Sequence, residues 1–427
     1  KLPLSTKLAF GIGASGEAIY LGLSNAFIVI FYNQVIGLNN ALIGFAVALA
    51  LAGDAISDPL VGIISDRWRS RLGRRHPFLI AAPIPMAISL YFVFNPPQWL
   101  LDMSSQMALF VWLSIWTIVS RTVMTLFNVP HLALGGELSK DQHERSQLFS
   151  ANAIFGGISG AGFGFVAYSF FFADEVVRAS DGALVPGHLA AESYGPLILT
   201  ACALVVITIW TCAAGTAKEI PYLSKADRQA NRLKLKEFFY EILSTLRNRN
   251  YLVILVGYFF FMIASGIYDT LNIHITTYFW ELKPSEIRWF SLVGAIAAMA
   301  GALLSPAFMR LFDRKPVMLF SLTITTVCAQ LVVTLRLFGF MPENGDPLLL
   351  PLLLLNAAGF TFSTCFARGS GLKRGSEFLI KKHFSLHSNE FVFGDTKHMF
   401  SDPSHGKEPF SSSTGDIKFG FPMFKFL

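Results

Sequence analysis

Long apolar stretches alternating with short polar ones set the rhythm of this 427-residue chain. Ten are about 20 residues or longer, at roughly 8–33, 41–65, 78–96, 106–135, 147–173, 195–216, 251–280, 287–310, 317–340 and 347–367. Crossing a hydrocarbon layer of about 30 Å takes about 20 mostly apolar residues in a helix. Lipid offers no partner to an open backbone amide or carbonyl, so these segments must satisfy their own hydrogen bonds, as helices do. The pattern predicts an all-α polytopic membrane protein with ten clear transmembrane helices.

Composition agrees. Hydrophobic residues make up 53% of the chain and charged ones only 15%, where a soluble domain carries about a quarter. The net charge of +6 would suit a nucleic-acid binder, but its placement argues against one. Arg67, Arg69, Arg71, Arg74 and Arg75 follow the second segment, a basic run crosses 217–250, and Arg310, Arg314 and Lys315 follow the eighth. Stretches 34–40, 97–105 and 341–347 hold no Lys or Arg, and 174–194 is mostly acidic. Loop-by-loop alternation of this kind follows the positive-inside rule. It puts the amino terminus and the 217–250 connector in the cytoplasm of a plasma (inner) membrane protein. Cys202, Cys212, Cys328 and Cys365 all lie in apolar segments without ligand spacing and read as small core residues. The first apolar run is too long for a signal-peptide core, so no cleavable signal is expected; the start at Lys1 suggests a fragment.

The layout implies two halves: six spans in 1–216, a cytoplasmic connector at 217–250, and four clear spans in 251–367, followed by an atypical tail at 368–427 with no span. Repeated halves typify secondary transporters, and "SDRWRSRLGRRHP" is echoed by "LFDRKP" after the second span of the second half. Gly156, Gly160 and Gly164 are four apart and read as a close-packing helix face. So does "GAIAAMAGA" in the eighth segment. The tail holds four of the nine histidines without metal-ligand spacing, and a shifted reading frame would give its composition.

Charges inside apolar segments are the candidate chemistry, because each costs about 2.5–3.5 kcal/mol on insertion scales. They are Glu17, Asp54, Asp58, Arg121, Asp269 and His274. Asp54 and Asp58 are one turn apart on one face, and two like charges there need a shared proton or a bridging cation. Pro59 lacks an N–H and leaves the carbonyl of Ala55 without its helical partner. That carbonyl, the Ser57 hydroxyl and two carboxylates form an oxygen-rich site suited to a hard cation. Alternatively, the aspartates pair with basic groups on neighbouring helices, Arg121 being at hand. In the fourth segment Arg121, Thr125 and Asn128 share a face and are expected to point into a common cavity.

At "DAISDPLVGIISDRWRSRLGRRHP", "NVPHLALGGELSKDQHERSQL" and "STKLAFGIGASGEAIYLG" the chain resembles the glycoside–pentoside–hexuronide:cation symporters, the melibiose-carrier group of the major facilitator superfamily, over residues 3 to 367. The resemblance implies a coupling-cation site at Asp54, Ser57, Asp58 and Thr125, with the ion either Na⁺ or H⁺ and no other cofactor. Solute contacts are expected around Glu17, Tyr20, Arg121, Asn128, Asn152, Asp269 and His274. Three sugar-binding charges of the melibiose carrier are missing: its first-helix aspartate falls on Ala18, its fourth-helix aspartate on Asn128, and its fifth-helix arginine near Asn152 or Ala153. The superfamily's cytoplasmic latch aspartate maps to Asp66, and Arg67, Arg74, Arg75, Glu137, Asp313 and Arg314 are expected to gate with it. The family has twelve spans, two more than this chain offers.

The expected function is cation-coupled symport of a sugar, glycoside or similar polar solute by a monomeric carrier in the lipid bilayer. A lysolipid carrier of the same fold is the alternative in substrate class, and a truncated, non-transporting product the other. No nucleophile–base set, phosphate loop or metal spacing points to an enzyme, and no basic face points to nucleic acid.

Overall fold

The computed structural model describes residues 2–178, 182–223, 249–312 and 314–365. Helix α1 covers Leu4–Ile30 and runs on into a π-helical turn, Phe31–Val35. Helix α2 is Asn40–Arg67. The third apolar segment is broken in two, α3 at His76–Ala81 and α4 at Pro83–Phe94, because Pro83 and Pro85 cannot donate to the preceding turn. A short α5, Gln98–Asp102, precedes the long α6, Gln106–Glu137. Helix α7, Gln142–Val166, ends in a second π turn at Ala167–Phe171. After a loop with a two-residue hairpin pairing Val176–Val177 with Leu184–Val185 comes α8, Tyr194–Thr216. The second half contributes α9 at Arg249–His274, α10 at Pro284–Leu311, α11 at Arg314–Leu337 and α12 at Leu349–Cys365.

Each of the ten apolar segments thus falls on helix. Six described helical stretches are long and apolar enough to cross a membrane, and Leu349–Cys365 is a shorter apolar helix. Local signals set the helix starts. The side chains of Asn39, Ser105 and Asp141 accept from the amides of Ala41, Ala108 and His143, satisfying orphan donors where α2, α6 and α7 begin.

Apolar side chains gain nothing from contact with each other over contact with lipid, so close backbone approach must hold the bundle. Helix α1 is the hub, packed on α7 and α8, while α2 lies along α6. A Cβ at Gly11 would sit 2.8 Å from Phe155 and 3.0 Å from the Ala151 carbonyl; one at Gly215 would sit 2.3 Å from the Ala9 Cβ. The glycine face of α7 serves packing: Gly156 and Gly160 rest on Ala14 and Ala18 of α1, and Gly164 faces Ser291 of α10.

Polar links between the described halves lie on the face opposite the arginine-rich loop. Tyr278 donates to Gln34 at 2.7 Å, Ser285 donates through its amide and hydroxyl to Asp174 at 2.8 Å each, and His188 bonds Thr277 at 2.9 Å. Helix α10 also packs along α7. The 224–248 part of the connector, the tail from 366 and Asp313 lie outside the described residues, as do the side chains of Asp269 and Arg314.

Candidate cation and solute site

Helices α2 and α6 bring the intramembrane charges together. Arg121 donates Nε to Asp54 Oδ2 at 2.7 Å, and its Nη2 reaches the same oxygen at 2.6 Å. One turn further, Thr125 donates its hydroxyl to Asp58 Oδ1 at 2.8 Å. Both pairs are 67 residues apart in sequence, so the two helices run in the same direction and meet in successive rungs.

The two aspartates are therefore held differently. Asp54 has a full counter-charge, in a pair whose side chains keep 20% and 22% of their exposure. Among the described residues, Asp58 has only a hydroxyl donor, and the buried hydroxyl of Ser57, between the two in sequence, finds no partner. A buried polar atom left open costs about 1–3 kcal/mol, so a hydroxyl beside a carboxylate in that state is suited to receive an ion. Among the described residues, ion-pairing with a neighbouring helix holds for Asp54 and not for Asp58.

Arg121, Thr125 and Asn128 each meet a different acid of α1 or α2: Asp54, Asp58 and, for Asn128, Glu17 at 2.9 Å. Of the expected solute residues, Tyr20 and Arg121 do line one cavity, with Ser24, Asn25, Thr117 and Ser120. Ser120 donates to the Tyr20 hydroxyl at 3.0 Å, while the buried Thr117 hydroxyl has no partner. Asn152 is not with them; it bonds His131 at 2.9 Å. His274 is held locally by the Thr270 carbonyl at 3.2 Å.

Sequence reasoning missed His131, which is fully buried between the rings of Phe10 and Phe127, and the wall residues Ser24, Asn25, Thr117 and Ser120. A signal was present. Glu17, Tyr20 and Ser24 on α1, and Thr117, Arg121 and Thr125 on α6, recur at three- and four-residue spacing. At the arginine-rich loop, Arg75 is buried and bonds Ser65 at 2.7 Å, Glu137 at 2.9 Å and Asp66, while Arg74 reaches Glu137 at 3.0 Å. All of these lie in the first half. Arg67 is exposed at the end of α2.

Residues 9–370 match the family described as MFS/sugar transport protein. The chain belongs to that family. Its members are membrane transporters, not enzymes, and the glycoside–cation symporter resemblance holds in the relatives' names. A symporter of Synechocystis is 34% identical over 161 residues, 36% of this chain and 29% of that protein. The putative glycoside/cation symporter YagG of Escherichia coli is 24% identical over 322 residues, 74% of this chain and 63% of that protein. The chain thus spans well under two thirds of the first of these and just under two thirds of the second. In fold, it superimposes on a point mutant of the nucleoside transporter NupG with a TM-score of 0.59 at 16% identity, covering 86% of this chain and 81% of that one. This MFS family member is thus an all-helical carrier fold in the membrane.

Proposed function

We propose that the chain is a cation-coupled symporter of a sugar, glycoside or similar polar solute. It would have ten spans in these residues, a cytoplasmic amino terminus, and work as a monomer by alternating access. The observation that carries this reading is the rung at Asp58. It is an intramembrane carboxylate with one hydroxyl donor, next to the unpartnered Ser57 hydroxyl. A Na⁺ or H⁺ there cancels the charge that makes the site costly. The neighbouring cavity at Tyr20 and Arg121 receives the solute, with Glu17, Asn128, Asn152, Asp269 and His274 as further candidates. Linkage then requires that the ion tighten the solute and the solute tighten the ion by the same factor. The polar links between the halves support a state closed on the face opposite the arginine-rich loop, with Asp66, Arg67, Arg74, Arg75, Glu137, Asp313 and Arg314 as the latch of the other face.

Uptake into vesicles tests this, using labelled glycosides with and without an inward Na⁺ or H⁺ gradient. Wild type should accumulate one of them only with a gradient, and Asp58→Asn should lose that dependence while still inserting in the membrane. Gradient-dependent uptake by Asp58→Asn would refute the site. Stabilisation by lysolipids but by no sugar would replace the solute class.

A further inference from the structure

The two α2 carboxylates are partnered unequally. Arg121 places both Nε and Nη2 on a single oxygen of Asp54, while Asp58 one turn away receives only the Thr125 hydroxyl. Asp54, Asp58 and Arg121 together sum to minus one. One monovalent ion makes that sum zero, and a second would make it positive in a setting that penalises net charge. We propose that Arg121 is a built-in counter-ion that fixes the coupling count at one: it occupies Asp54 and leaves Asp58, with Ser57 and Thr125, to hold the single transported cation. This rests on the symport reading and specifies how the acidic pair is used in it. Tyr20 on α1 and Thr117 and Ser120 on α6 share a cavity with Arg121 and are uncharged, and the further carboxylate near this stretch of α6, Glu17, is bonded by Asn128 three residues beyond Thr125. Asp54 is thus the acid that answers the guanidinium among the described residues.

The arrangement makes an unusual demand on substitutions. Removing the arginine alone uncovers a second carboxylate about 6 Å along the helix from the first. Like charges that close in a medium of reduced dielectric attract a counter-ion strongly. Removing the arginine and the Asp54 charge together restores the original sum.

The test counts monovalent ions bound by the purified full chain. Na⁺ is titrated against constant ionic strength in choline chloride at fixed pH, and proton uptake is read in a lightly buffered solution with an indicator dye. Arg121→Gln should bind one more monovalent ion, Na⁺ or H⁺, than wild type, with an apparent Kd at least tenfold lower. Asp54→Asn/Arg121→Gln should return to one ion at an affinity within about threefold of wild type, and Arg121→Lys should also keep one. An unchanged count in Arg121→Gln, or loss of ion binding in the double variant, overturns the proposal; the second result would make Asp54 itself a ligand. Asp58→Asn separates the underlying reading. If it still binds the ion, the Asp58 site is wrong whatever Arg121 does. If binding is lost there and the Arg121 variants leave the count unchanged, only the counter-ion role fails.

Discussion

His188 offers a quantitative check on how the two halves are held together. It lies in the loop before α8, fully buried, against the rings of Tyr168 and Phe172. Its Nε2 bonds Thr277 of the other half at 2.9 Å, and its Nδ1 has no partner. Burial pulls its pKa from the ordinary 6.5 down to about 4, because a charged imidazole there would lose its hydration without gaining a counter-charge. Since the folded value is the depressed one, the unfolded or opened state binds more protons between pH 4 and 6.5. The stability from keeping the ring neutral is therefore complete above about pH 6.5 and is lost as the pH falls toward 4. Between pH 7.5 and pH 5 the loss comes to about 2 kcal/mol. Thermal unfolding of wild type and His188→Gln, each at pH 7.5 and pH 5, isolates this contribution, since every other titrating group is common to both. Wild type should lose about 2 kcal/mol more than the variant on acidification. Parallel losses would refute the burial argument.

Two further outcomes follow from packing and from the arginine-rich loop. Gly11→Val should cost about 1–3 kcal/mol in thermal unfolding, because its Cβ meets the Ala151 backbone at 3.0 Å. Gly157→Val, whose Cβ has nothing within 4 Å, should stay near wild type, and equal effects would contradict close approach as the source of cohesion. Arg75→Ala should destabilise by about 2–4 kcal/mol, because this buried arginine joins Ser65, Asp66 and Glu137. Arg74→Ala, which leaves Arg75 on Glu137, should cost under half as much in the same assay.

The pairing on α2 and α6 also bears on how a carrier moves. An arginine at membrane depth is tolerable only with a partner or water, and Asp54 is that partner in this state. Any rearrangement that draws Asp54 away must give the guanidinium another partner, and the cavity beside it, walled by the Tyr20, Ser24 and Asn25 side chains, offers polar groups for the purpose. Thr117, Ser120 and Arg121 at the cavity and Thr125 at Asp58 thus lie on one short stretch of α6.

The sequence by itself determined the helical, membrane-spanning class, because length and hydropathy are properties of single segments and lipid permits few alternatives. It also picked out Asp54, Asp58, Arg121 and Thr125, since charge in an oily run is costly wherever the run ends up. It left open which acid pairs with which donor. Two aspartates at the same spacing, on the same face, differ only in what α6 sets against them, and the parallel register of α2 and α6 gives Arg121 to one and Thr125 to the other. Tertiary structure alone decided that Asn128 turns to Glu17, that Asn152 belongs to His131, and that a loop histidine closes against the second half. Periodicity records which residues share a face of one helix; it says nothing about which face of another helix arrives there.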